Sequence, residues 1–297
     1  MTDIASVMKK AYQNHIIIPS FNIPYLPMME PVVRALKEKG TFGLIAVARL
    51  EWKKFQSKSL EAVAGEYERC KDERVTSLHL DHIPVIDEDH LRVDYMDDIA
   101  RAISAGYRSV MIDGSRLALE ENIRCVLEVV EYAHARNIVV EAELGAVIGH
   151  EDGPTPDYEQ LFASGNGFTD VTEGRRFLSK TQVDWLSVAI GSVHGAISLA
   201  SRDKKKVTAR LHIGRLTELD EALGIPLVLH GGSGISLPYL KQSFAHGIAK
   251  LNIGTDIRQA YESGSSEIQK RENVYMRVLQ IIDDLEIAGS ASPLLGE

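Results

Sequence analysis

Short runs rich in β-branched residues return along this chain at a steady interval, and that beat constrains the fold more than any other feature. They read IIIPSFN (16–22), FGLIAVAR (42–49), VTSLHLDH (75–82), SVMIDG (109–114), IVVEAELG (138–145), WLSVAIG (185–191), PLVLHGG (226–232) and IAKLNIGT (248–255). Segments with helical spacing of apolar residues follow them, such as MMEPVVRALKEKG and EENIRCVLEVVEYAHARN. Eight strand–helix units predict an α/β fold, a (β/α)8 TIM barrel. It spans 1–297 as a single domain with a C-terminal helical extension. An open doubly wound sheet competes, but no GxGxxG follows the first strand.

Two stretches interrupt the beat. Residues 146–181 form a long Gly-rich segment after strand 5, and residues 83–96 extend the loop after strand 3. Long loops in a compact barrel are usually functional. Both lie at the C-terminal face, where barrel enzymes keep their chemistry.

Net charge narrows the partners. There are 33 basic and 42 acidic side chains, net −9, and the densest positive spot is Lys204–Lys206, which reads as a solvated loop. No basic stripe suited to nucleic acid is present. Cys70 and Cys125 fall in helix-like segments without CxxC spacing, which predicts a reduced, cytoplasmic setting. The start, MTDIASVMKKAYQ, reads as an amphipathic helix, and no run is long and apolar enough for a membrane span.

In a parallel barrel every C-terminal strand end surrounds one mouth. Asp81 and His82 lie at strand 3, Asp113 at strand 4, Glu141 and Glu143 at strand 5, His194 just past strand 6, His230 at strand 7 and Asn252 to Asp256 at strand 8. Three histidines from three strand ends can meet with one coordination position open, a catalytic zinc arrangement. His79 reads as a structural residue behind them. His134, His150, His212 and His246 lie in helices or loops and take no part. HGGSG (230–234) and NIGT (252–255) place glycine turns where barrels bind phosphate. A divalent metal can polarise a ketone and hold the enediolate left when the neighbouring carbon–carbon bond breaks. A phosphate cradle anchors the substrate for it. Together these point to aldol cleavage of a ketose phosphate.

HLDH, GYRSVMIDGSRL, EENIRCVLEVVEYAHARNIVVEAELG, VAIGSVHGA, IPLVLHGGSG and KLNIGTD resemble the class II, zinc-dependent fructose/tagatose-bisphosphate aldolases. The likeness runs from residue 5 to 275 and is densest between 75 and 256. It implies zinc ligands His82, His194 and His230. It implies that Asp81 exchanges the proton of the substrate C4 hydroxyl, and that Glu151 handles the proton on the dihydroxyacetone phosphate carbon. Asp113 and Glu143 match positions of a second or displaced metal. Gly195, Gly231, Gly232, Ser233, Asn252, Ile253, Gly254 and Thr255 match the dihydroxyacetone phosphate site, with a monovalent cation (Na+ or K+) nearby. Arg258 matches an arginine that reaches the distal phosphate, commonly from a neighbouring subunit. A homodimer or homotetramer is therefore implied, with a phosphorylated sugar as the small-molecule partner.

The departures cluster on the aldehyde half. Ile83-Pro84 follows HLDH where the family has a glycine or small polar residue. Ser198 stands where members often have lysine, Ala48-Arg49-Leu50-Glu51 where a serine or threonine and a glycine contact the far phosphate, and Gly254 where aspartate or alanine is usual. These predict that fructose 1,6-bisphosphate is a poor substrate. Three rival readings are weaker. A Schiff-base aldolase needs a lysine in the mouth, and Lys250 lies early in strand 8; a metal hydrolase barrel carries HxH on strand 1; a noncatalytic aldolase-like partner would not need Asp81 and three ligands.

Overall fold

Parallel strands covered on both faces need apolar side chains at nearly every position, and the recurring runs supply them. The computed structural model describes residues 3–145, 158–192 and 209–296. Within it the runs become β1 (Ile18–Asn22), β2 (Gly43–Ala48), β3 (Thr76–Pro84), β4 (Ser109–Asp113), β5 (Val139–Leu144), β6 (Trp185–Val188), β7 (Leu227–Leu229) and β8 (Ile248–Ile253). They pair in chain order and β8 returns to β1, closing a TIM barrel. Seven of these strands are buried at every residue. Only β3 surfaces at its end, at His82 and Pro84.

The helices are α1 (Ile4–Gln13), α2 (Met29–Lys39), α3 (Arg49–Lys54), α4 (Leu60–Cys70), α5 (Tyr95–Ala105), α6 (Leu119–His134) and α7 (Tyr158–Ser164). They continue with α8 (Val171–Thr181), α9 (Ile213–Leu223), α10 (Leu237–Phe244), α11 (Thr255–Glu262), α12 (Glu267–Leu285) and α13 (Ala291–Leu295). Asp3, Ser59, Asp94, Asp170 and Ser266 cap helix starts with side-chain oxygens, each worth about 0.5–2 kcal/mol. The C-terminal extension is present: α12 lies along α2 and α11, and α13 along α1. Cys70 and Cys125 are unpaired thiols on α4 and α6. No helix among the described residues is long and apolar enough to cross a membrane.

Two boundaries differ from the sequence reading. Residues 146–181 are not one loop: α7 and α8 occupy the described part, and α8 is the barrel helix that follows β5. Few apolar residues mark α8, but Asp170 caps it and Gly174, Phe177 and Thr181 make a buried stripe. Strand β3 runs on through Ile83 and Pro84, so the inserted loop begins at residue 85. That loop doubles back on itself, with Ile86 and Arg92 in an antiparallel bridge and Asp87 accepting the Asp89 and Leu91 N–H groups.

The irregularity in β3 sets up the site. Against β4 its register slips by one residue between Leu80 and Ile83. His82, inside the slip, has φ +28°, a region that costs a non-glycine residue about 1–3 kcal/mol. A bulge re-aims side chains, and here two consecutive residues, Asp81 and His82, both reach partners across the barrel.

Candidate active site

His82 meets His230 at the top of the barrel. Nε2 of His82 lies 2.5 Å from Nδ1 of His230, with the rings at 84°. Each ring gives its other nitrogen to a carboxylate. His82 Nδ1 is 3.3 Å from Asp113 Oδ2, and His230 Nε2 is 3.0 Å from Glu141 Oε1. Glu143 Oε2 stands 3.9 Å from His82 Nδ1. Asp81, His82 and His230 offer ligand atoms within 4.8 Å of one another, and so do His82, Asp113 and Glu143. The second group contains the Asp113 and Glu143 positions read as an alternate metal site.

The electrostatics of this pocket call for a cation. Asp81, Asp113, Glu141 and Glu143 are all buried. Burial, then the Asp113 charge, pushes Glu143 up to about 8. Burial works to lower His82, but Asp81, Asp113 and Glu143 outweigh it and raise it to about 10. Imidazole and carboxylate donors suit zinc, and a carboxylate behind each ligating imidazole is the usual support for such a centre. The residues present therefore fit a divalent metal.

Asp81 sits beside that point and is held by two amides. Asn22 Nδ2 on β1 donates to Oδ2 at 2.8 Å, and Asn252 Nδ2 on β8 donates to Oδ1 at 2.9 Å. Burial opposes ionisation, yet the neighbouring His82 and Lys250 charges hold Asp81 below the usual carboxylate range. Glu51 shares the Asn22 amide at 3.5 Å and accepts the Ala48 N–H at 2.8 Å. Its burial raises it to about 8.

Lys250 departs from expectation. Its place early in β8 kept it out of the sequence-derived site, but it points into the barrel and is fully buried. Its Nζ lies 2.6 Å from Glu141 Oε2, 3.1 Å from His79 Nε2 and 4.0 Å from Asp81 Oδ1. The missed signal was strand parity: Lys250 and Asn252 are two apart and share a face. His79 lies behind the site as expected, its Nδ1 2.8 Å from Ser109 Oγ.

The glycine turns are where the sequence put them. Gly231 follows β7 with φ +74°, and a Cβ on Gly232 would come within 2.9 Å of the Asn252 carbonyl. This turn therefore packs on the end of β8 with no room for a side chain. Gly234 completes it, and Gly254 leads into α11 at Thr255. Arg258, on α11, turns to Glu262 at 2.9 Å and to the face of Phe55. His134 pairs with Asp184, His212 caps α9, and His246 meets Thr217. Glu151, His194, Gly195, His150, Ser198 and Lys204–Lys206 lie outside the described residues.

The chain as a whole resembles known proteins. Among solved structures, the YdjI aldolase from Escherichia coli K12 is 27% identical, with a TM-score of 0.76 over 98% of this chain and 99% of its own. A putative fructose-1,6-biphosphate aldolase from Coccidioides immitis is 26% identical, with a TM-score of 0.75 over 96% of each chain. The fructose-bisphosphate aldolase of Campylobacter jejuni, at 18% identity, shares the fold with a TM-score of 0.72 over 96% of this chain and 94% of its own. The family model described as fructose-bisphosphate aldolase class-II matches residues 2–286. With a match over nearly its whole length, the chain belongs to the class II fructose-bisphosphate aldolase family.

Proposed function

We propose that the protein is a zinc-dependent aldolase that reversibly cleaves a ketose phosphate to dihydroxyacetone phosphate and an aldehyde. One observation carries the reading: His82 and His230 bring one ring nitrogen each together, 2.5 Å apart and beside Asp81, and give the other to a buried carboxylate. These two, with His194, would hold the metal, and Asp113 and Glu143 would hold an alternate position. When bound, zinc acts as a Lewis acid on the substrate ketone.

The chain's own residues do the rest. Asp81, ionised and oriented by Asn22 and Asn252, takes the C4 hydroxyl proton as the carbon–carbon bond breaks and returns it in synthesis. Glu151 moves the proton on the dihydroxyacetone phosphate carbon. The turn at Gly231, Gly232 and Ser233, with Gly195, Asn252, Ile253, Gly254 and Thr255, cradles the phosphate of that half, aided by Na+ or K+. The start of α11 offers N–H groups and the positive end of its dipole there. We place the enzyme in the cytoplasm as a homodimer or homotetramer.

The distal half supports a substrate other than fructose 1,6-bisphosphate. Ala48 and Gly254 supply no side-chain donor for a second phosphate. Arg49 is committed to Asp87 and Asp98, and Lys54 to Glu88 and Asp89. These pairs offset part of the acidity of the inserted loop and leave neither cation for a phosphate. The shortage of donors remains. We therefore expect a ketose phosphate with a different distal group, or another C4 stereochemistry, to be cleaved faster. Steady-state comparison of fructose and tagatose 1,6-bisphosphates with ketose 1-phosphates, read by dihydroxyacetone phosphate release, tests this. A kcat/KM of about 10⁵ M⁻¹s⁻¹ for fructose 1,6-bisphosphate, above all the others, would refute the substrate assignment. No release from any of them would refute the aldolase reading.

A further inference from the structure

Below the two converging imidazoles lies a polar layer that the proposed reaction never touches. Glu141 on β5, His79 on β3 and Lys250 on β8 are fully buried. His79, Asp81 and Glu141 offer ligand atoms within 4.8 Å of one another. The Lys250 ammonium already stands among them, 2.6 Å from Glu141, 3.1 Å from His79 and 4.0 Å from Asp81. This group therefore carries its own fixed cation. Isolated charges are costly to bury, and removing one partner of such a pair leaves the other uncompensated.

The consequence reaches His230 through Glu141. Oε2 of Glu141 takes the ammonium, and Oε1 faces His230 Nε2 at 3.0 Å. An ionised carboxylate only accepts, so His230 must donate from Nε2. A neutral imidazole has one proton, which leaves the Nδ1 lone pair free on the side that faces His82 Nε2, 2.5 Å away. Resting on the reading that these nitrogens hold the metal, we propose that Lys250 is a positioning residue. It pins Glu141 in the orientation that fixes the His230 tautomer and presents Nδ1 to the metal.

A Glu141→Gln change makes this testable because the new amide has one accepting and one donating end. Beside Lys250 its oxygen turns to the ammonium and its NH₂ to His230 Nε2. The ring must then accept there and carry its proton on Nδ1, facing the metal. Zinc affinity should fall about 10–100-fold, the usual effect of losing a support behind a ligating histidine. Adding Lys250→Met frees the amide to rotate, offer its oxygen to His230 and recover part of that affinity. A purely structural role predicts the reverse, since removing both partners of a buried pair compounds the damage.

Zinc affinity of wild type, Glu141→Gln and the double variant is measured by chelator competition. A double variant that binds more tightly than the single one supports the proposal. Equal or weaker binding overturns it, as does a single variant with wild-type affinity. Where a variant does not fold, ¹⁵N NMR of His230 in the metal-free wild type decides: a proton on Nε2 supports the proposal, and one on Nδ1 overturns it. Wild-type protein that takes up no zinc refutes the metal reading itself, an outcome distinct from zinc-binding wild type with insensitive variants.

Discussion

Treatment with a strong chelator should abolish turnover, and added zinc or cobalt should restore it. The expected loss is large because a bound metal would supply several kcal/mol of transition-state charge stabilisation, on the order of 10³-fold in rate. Lys250 is no substitute for it. Lys250 is fully buried and engaged by Glu141 and His79. His82→Ala and His230→Ala should each lower bound zinc by elemental analysis, and His194→Ala should do the same. Full zinc content in all three variants would remove this assignment. The outer carboxylates give a graded check: Asp113→Asn, which weakens the support behind His82, should reduce affinity less than loss of His82.

Asp81→Asn should cut turnover by roughly 10²–10⁴-fold, the range of general acid–base catalysis, while zinc content stays unchanged. The surroundings accommodate the change. An asparagine oxygen can keep the 2.8 Å bond from Asn22. Its NH₂ would then face the Asn252 NH₂, but Asn252 can turn its amide over. Asn252 Oδ1 has no hydrogen-bond partner among the described residues, so the rotation forfeits no contact there. The variant should therefore fold, bind metal and bind substrate, and fail in proton transfer alone. Loss of zinc would make Asp81 a ligand; near-normal kcat would end its role as the base.

How much of this was legible in the sequence follows from the range of each interaction. The barrel was legible because burial on both faces favours apolar residues at most strand positions, and that run is a local signal. Strand ends were equally legible, since the parallel closure brings all of them to one mouth. Asp81, His82, Asp113, Glu143 and His230 could therefore be named before any distance was known. Helix α8 was missed because its buried stripe is Gly174, Phe177 and Thr181, a pattern too thin in large apolar residues to announce itself. The ion pairs of the inserted loop were not legible, because its partners Arg49 and Lys54 come from α3, some thirty-five residues earlier in the chain.

The sequence by itself determined which residues stand at the mouth and which strands deliver them, because periodicity and strand polarity are written locally. Only the tertiary structure decided how they face one another. The one-residue slip in β3 turns consecutive Asp81 and His82 toward different partners, which strict alternation along a strand would forbid. The alignment of β5, β7 and β8 sets Lys250 under Glu141 and Glu141 under His230, across separations of more than eighty residues. Hydrogen-bond direction and ring tautomer depend on such approaches of a few ångströms, and no local pattern encodes them.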